Sequence, residues 1–217
     1  MGFEPKEVTA GSASQSRSAA AGTARKPRAD GLRNRERLID AAKRAFADVG
    51  ADVSLEEIAR RAGVGIGTLY RHFPTRVAIV EAVYRREVAQ LAGAAERLLG
   101  QMSAGEALHQ WMRLFVDYIA TKKVIAAALG SLGGGAADLY ATSGAQISGA
   151  MSLLVARARA AGDIRADADP GDLQRALVGF TYGAASPGWQ ASALRLIDLL
   201  MDGLRPAAPT AAGGGAI

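Results

Sequence analysis

The sequence predicts an all-α protein of about nine helices, with a short three-helix unit near the N-terminus followed by a larger helical domain. Three observations carry this expectation. Apolar residues recur at helical spacing in segment after segment, no stretch alternates in the manner of a strand between hairpin turns, and helix-start and helix-stop residues bracket the periodic segments. At 217 residues the chain is long enough to bury a sizeable core without staples, in keeping with its complete lack of cysteine.

Residues 1–30 are rich in Ala, Ser, Gly and Thr and contain few large apolar groups, too few to offset the entropy of ordering, so a disordered basic arm carrying Arg25, Lys26 and Arg28 is expected there. From Leu32 to Val49 the residues Leu38, Ile39, Ala42, Ala45 and Phe46 form an apolar stripe, and Gly50 stands at the C-cap position. Ser54 and Glu57 have the spacing of a capping box, with Val53 and Ile58 as the hydrophobic staple, which starts a second helix over Leu55–Ala62. Gly63 ends it. A third helix from Ile66 to Phe73 buries Leu69 and Phe73 and stops at Pro74, leaving Thr75 to cap a fourth from Arg76. Residues 31–76 therefore read as a helix-turn-helix domain.

In residues 77–205 the remaining helices are expected over 76–99, 104–120, 122–132, 136–161, 170–184 and 190–204. Ser103 with Glu106, Gly162, Asp169 with Pro170, and Pro206 serve as caps and stops. Residues 206–217 form a tail. Between Val124 and Ala156 the only charge is Asp138, but glycines and hydroxyl residues interrupt the stretch, so no continuous span of ~20 apolar residues survives and no membrane segment is expected. The first ten residues, MGFEPKEVTA, are acidic where a signal peptide needs a basic start, which predicts a cytoplasmic protein.

The net charge of +5 is unevenly placed. Residues 1–30 carry five Lys/Arg and three Asp/Glu, residues 31–76 nine and six, and residues 77–217 twelve and twelve. The excess sits wholly at the helix-turn-helix end, as expected if that end meets a polyanion. The stretch AGVGIGTLYRHFPTR, residues 62–76, has three glycines but fails as a nucleotide loop, since it follows a capped helix rather than a strand and has Thr68 in place of a spaced third glycine. A DNA-reading turn accounts for each residue separately. Gly65 and Gly67 let the backbone approach a duplex, Thr68, Tyr70 and His72 donate to phosphates, Arg71 matches guanine O6 and N7, and Ile66 matches a thymine methyl. Ser54 and Arg76 lie where helix N-termini also favour phosphate.

The segment SLEEIARRAGVGIGTLYRHFPTRVAIVEAVY resembles the N-terminal domain of the TetR family of transcriptional regulators, which share a motif close to I-A-x-x-A-G-V-x-x-x-T-L-Y-x-H-F-x-[ST]-[KR]. The likeness spans about Leu32–Tyr84. It implies that Ser54, Gly67, Thr68, Tyr70, His72 and Arg76 contact mainly the DNA backbone, while Gly65, Ile66 and Arg71 occupy variable positions that tune the operator. Two glycines in that window depart from the family pattern and leave fewer side chains to read bases.

The resemblance also implies a C-terminal ligand-binding and dimerisation domain. Leu173, Leu177 and Phe180, with Leu194, Ile197 and Met201, supply apolar stripes suited to a four-helix interface between two copies, which would bind a palindromic operator on double-stranded DNA. Trp111, Phe115 and Tyr118 share one helix face and, with Leu129, Tyr140 and Met151, are candidates for a small-molecule pocket. The scarcity of Lys and Arg around them disfavours an anionic effector, so an apolar or neutral one that releases a repressor is expected. Two other readings are a nonspecific nucleoid-type DNA-binding protein and a helical enzyme. For the enzyme there is no G-x-S-x-G or H-E-x-x-H, and His72 and His109 lie in different segments, so no catalytic residue, metal or cofactor is expected.

Overall fold

The computed structural model describes Met1 and residues 25–130, 135–182 and 186–206. These residues form eight α-helices: α1 (Arg25–Val49), α2 (Leu55–Ala62), α3 (Ile66–His72), α4 (Arg76–Leu99), α5 (Ala104–Gly130), α6 (Gly135–Ala161), α7 (Pro170–Phe180) and α8 (Trp189–Gly203). The all-α expectation holds. Helices α1 to α3 pack on one another as a head, α4 runs on from the head and packs against α1, α5 and α6, and α7 and α8 close the body against α6 and α5.

Local chemistry explains most boundaries. Ser54 caps α2 by accepting from the Glu57 N–H at 3.1 Å, Thr75 caps α4 by accepting from Ala78 at 3.1 Å, and Asp169 caps α7 by accepting from Asp172 at 2.9 Å, ahead of Pro170. Before α5 the reciprocal box forms in full: Glu106 N–H reaches Ser103 Oγ at 3.3 Å and Ser103 N–H reaches Glu106 Oε2 at 3.1 Å. At α2 only half of the expected box forms. The Glu57 carboxylate turns instead to Arg60 and Arg61, where charged donors hold it more strongly than a backbone amide would.

Three stretches differ from the expected layout. Helix α1 begins at Arg25, so residues 25–30 are helical rather than part of a disordered arm; Pro27 falls in the first turn, where its missing N–H has no intrahelical acceptor, and Asp30 pairs with Arg33 one turn on. Residues 2–24 and the tail 207–217 lie outside the described residues. Segments 104–120 and 122–132 join into the single helix α5 as far as Gly130, because Thr121-Lys122-Lys123 contains no breaker; the Thr121 hydroxyl is satisfied within the helix by the Asp117 carbonyl at 3.3 Å. Helix α7 stops at Phe180, four residues short of the expected 184, with Thr181 as its C-cap; Gly183 and Ala184 lie outside the described residues, as do Gly133 and Gly134 of the glycine run.

One hydrophobic cluster runs through head and body, from Leu38 and Phe46 of α1 through Ile79, Val83 and Leu91 of α4 to Trp111, Met151 and Ile197. The α2–α3 turn is fixed by Gly63, which adopts φ +65° and whose N–H bonds to Arg60. A side chain there would meet both the left-handed backbone penalty and the Arg37 guanidinium, 2.7 Å from an added Cβ. Gly63→Ala should therefore lower stability by about 1–2 kcal/mol, read from the urea midpoint at unchanged m-value. A midpoint equal to that of the parent would contradict this account of the turn.

Candidate nucleic-acid interface

The turn from Ala62 to Ile66 sets α3 with one face on the core and one in the open. Leu69 is fully buried, Phe73 nearly so, and Val64 packs beside them. On the other face Ile66 and Tyr70 are exposed large groups, at 38% and 45%, and Arg71 is exposed too. Thr68 and His72 are half-buried at its margins, and Ser54 is exposed at the start of α2. The structure thus brings Ser54, Gly65, Ile66, Gly67, Thr68, Tyr70, Arg71 and His72 onto the α2–α3 region of the head.

Gly65 is the N-cap of α3, a position that favours glycine over alanine, whereas Gly67, inside the helix, has no such internal reason. Gly65 has φ −70°, an ordinary value for any residue, and a Cβ built at either position meets nothing within 4 Å. Exposed alanine is the better helix former.

Arg76 is placed differently from its neighbours. Its guanidinium donates to the carbonyls of Ala51 and Val53, so it clasps the α1–α2 loop from the start of α4. The charge is partly buried and serves the head's own geometry. Behind α3 a second network stiffens α2. Glu57 accepts from Arg60 in a two-pronged pair at 2.7 Å and from Arg61 at 2.8 Å, and Arg61 reaches Asp48 of α1 at 2.7 Å. Hydrogen bonds from Arg60 and then Arg61 hold the Glu57 carboxyl down at about 2. Its folded value is depressed, so its contribution to stability is fully present above the ordinary value of 4.5 and is lost as pH falls through about 2; the network does not titrate near neutrality.

In the body, five rings adjoin one another. Trp111 lies 6.2 Å from Phe115, Phe115 5.6 Å from Tyr118, and Tyr84 6.2 Å from Tyr118 and 5.8 Å from Tyr140. The Trp111 indole N–H donates to the Leu91 carbonyl at 2.8 Å, and Tyr118 donates to the Tyr84 hydroxyl at 3.1 Å. Burial, with that hydrogen bond, pushes the Tyr118 phenol well above its usual range. Leu129 and Met151 are fully buried in the same cluster. Tyr84, which links Tyr118 to Tyr140, is not among the sequence candidates; its place at the end of the helix-turn-helix likeness hides a role in the body. Tyr118 also lines a cavity of about 430 Å³ with Lys43, Glu87, Leu91, Leu114 and Asp117.

The six interface candidates divide. Leu173, Leu177 and Ile197 are taken up by the protomer's own core, whereas Phe180, Leu194 and Met201 are half-buried, and the exposed apolar residues of this end are Val178, Tyr182 and Leu199. Helical periodicity found the stripes but not which side of each faced inward. Among the described residues no group of three or more His, Cys, Asp or Glu could hold a metal ion, and no helix is long and apolar enough to cross a membrane.

Arg76→Ala should cost the head about 2 kcal/mol, since two charge-assisted bonds to backbone carbonyls are lost and the carbonyls are left behind. Arg71→Ala, at an exposed position, should stay within about 0.5 kcal/mol of the parent. Urea titration of both variants checks the contrast, and equal stabilities would refute the clasp.

Comparison with known proteins agrees with this geometry. The family model described as bacterial regulatory proteins, tetR family, matches residues 38–83, and that described as transcriptional regulator SbtR-like, C-terminal domain, matches residues 103–206. A TetR transcriptional regulator from Streptomyces coelicolor is 45% identical, over 80% of this chain and 99% of that one, with a TM-score of 0.73. A TetR regulatory protein from Mycobacterium vanbaalenii is 36% identical, over 82% and 99%, with a TM-score of 0.69. The HTH-type regulator TtgW from Pseudomonas putida, itself uncharacterised, is 43% identical over 61 residues, 28% of this chain and 46% of that protein. SrpR, from the same species, matches over 29% of its length, so the likeness to these two proteins spans less than half of either. With a matching head, a matching body and near-complete coverage of the two structural relatives, the chain belongs to the TetR family of transcriptional regulators.

Proposed function

We propose that the protein is a ligand-responsive, sequence-specific repressor that leaves a palindromic operator when a small apolar or neutral molecule binds its body. The observation that carries the DNA half of this reading is the outer face of α3. Ile66, Tyr70 and Arg71 stand exposed beside Gly67, a glycine inside α3 that the fold itself does not require. Arg71 suits a guanine edge, Thr68, Tyr70, His72 and Ser54 suit phosphates, and Arg76 holds the loop that presents Ser54.

Dimerisation is supported by Val178, Tyr182 and Leu199, exposed apolar groups on and next to α7 and α8, with half-buried Phe180, Leu194 and Met201 at the same end. A second copy covering them would set two recognition helices about 34–36 Å apart, one turn of DNA, or a multiple of it. The effector reading rests on the cluster of Trp111, Phe115, Tyr118, Leu129, Tyr140 and Met151, which occupies the body just beyond α4. Switching occupancy needs an effector that prefers one head spacing by roughly 3 kcal/mol or more. The role needs no cofactor or catalytic residue and belongs in the cytoplasm.

Selection of the purified full-length protein against a random duplex library at near-physiological salt tests the reading. An inverted repeat should be enriched; binding without sequence preference would replace the repressor by a nucleoid-type protein. On the selected site Gly67→Ala should separate fold from function. The variant should be more stable by about 0.5–1 kcal/mol, yet bind the operator at least about tenfold more weakly, ~1.4 kcal/mol, because the added methyl stands where the duplex must approach. Undiminished affinity in a stabilised variant would show that the glycine is not there for DNA.

A further inference from the structure

We infer that the cavity at the joint of head and body, between α1, α4 and α5, is a further ligand site, and that it takes a small organic ammonium ion held by Glu87 and Asp117. The cavity measures about 430 Å³, within the range of roughly 300–1,000 Å³ usual for small-molecule sites. Lys43 of α1, Glu87 and Leu91 of α4, and Leu114, Asp117 and Tyr118 of α5 stand around it. It is distinct from the aromatic cluster assigned above to an apolar or neutral effector, although Tyr118 borders both.

The charges around the cavity decide the class of ligand. Glu87 is 7% exposed and only half satisfied: Lys43 takes Oε2 at 2.7 Å, and no atom of the described residues partners Oε1. A buried carboxylate oxygen without a donor carries a desolvation cost that an added N–H offsets. Asp117 is exposed at the same cavity, and its carboxylate forms no ion pair among the described residues. The two lining cations are already committed. Lys43 serves Glu87, and Arg97 bends back along its own helix, donating to the Gln90 carbonyl at 3.5 Å and standing 3.3 Å from a Cβ built at Gly93. The charge left over is therefore negative. Leu91, Leu114 and the Tyr118 ring add an apolar wall, and among the described residues no group of three or more His, Cys, Asp or Glu could hold a metal ion. An organic cation fits where a bare ion would lack ligands. An ammonium brings three N–H donors, enough for both carboxylates, with its apolar part against the Tyr118 ring. Since α1 belongs to the head and α5 to the body, a ligand seated here touches both sides of the joint.

Calorimetric titration of the full chain, without DNA, with phenethylammonium, its neutral isostere 2-phenylethanol and the anion 3-phenylpropionate tests the assignment. The ammonium should bind at one site per chain, and the alcohol and the anion at least about tenfold more weakly, the scale of one lost charge-assisted hydrogen bond. Glu87→Gln and Asp117→Asn should each weaken the ammonium by about tenfold and leave the alcohol unchanged. Circular dichroism and the urea midpoint confirm that each variant is folded, and Asp117, exposed and unpaired, supplies the change that the fold tolerates. Equal affinities for ammonium and alcohol overturn the inference, as does the absence of any ammonium binding. Undiminished ammonium binding in Asp117→Asn and Glu87→Gln overturns it too, since the cation would then sit on the aromatic cluster instead. None of these titrations involves an operator, so the DNA-binding reading stands or falls separately from this site.

Discussion

Everything in this molecule depends on α4 being shared. Its buried residues Ile79, Val80, Val83, Tyr84, Val88, Leu91, Ala94 and Ala95 belong to one continuous core with Leu38 and Phe46 of the head and with Leu108, Trp111 and Phe115 of the body. A core at crystal-like density moves between discrete packings rather than deforming smoothly, so a head built on the same helix as the body cannot reorient without repacking along α4. The Trp111 bond to the Leu91 carbonyl and the Tyr118 bond to Tyr84 tie the aromatic cluster to that helix directly. Whatever enlarges or reshapes the cluster acts on the element that carries the head.

The joint between α1 and α4 is electrostatic as well as apolar. Lys43 of α1 pairs with Glu87 at 2.7 Å, and Arg86 reaches back to Asp40 at 2.7 Å, two bonds running in opposite directions across the contact. Glu87 is 7% exposed, and among the described residues no protein atom partners its second oxygen or the Arg86 Nε. Desolvation of those atoms offsets part of what the pairs contribute, on the scale of about 1–3 kcal/mol for each unmet group. These pairs therefore fix the register of α1 on α4 more than they add to the depth of the energy well.

Much of this was legible in the sequence because it is local. Caps at Ser54, Thr75, Ser103 and Asp169, the stop at Gly162 and the buried faces of α2 and α3 depend on residues three or four apart, and such spacings are read directly. What was missed is long-range or two-sided. Asp163 closes the start of α5 by accepting from the Gly105 N–H at 2.7 Å, across 58 residues, and no local pattern announces it. Tyr84, Lys43 and Glu87 gain their importance only when α1, α4 and α5 meet. Leu173, Leu177 and Ile197 lie on stripes that periodicity finds, but apolar on both sides leaves open which side is the core. The departure of α1 from the expected start arises because low apolar content argues against an independent fold, whereas six residues appended to an already nucleated helix need no core of their own.

The candidate interface itself is best recognised by what the fold leaves unexplained. Leu69 and Phe73 are buried, Arg76 clasps carbonyls and Gly63 satisfies a left-handed turn, so each has an internal cause. Gly67 has none: it lies within α3 with no described atom within 4 Å of an added Cβ, and inside an exposed helix glycine is among the poorer choices, whereas Gly65 is at home as the N-cap. Exposed Ile66 and Tyr70 likewise forgo burial on their own protein. Residues that cost the free molecule something, gathered on one face at the only basic end of the chain, are accounted for when a second surface completes the contacts. A duplex supplies the charge, the flat approach and the methyl groups that this set lacks.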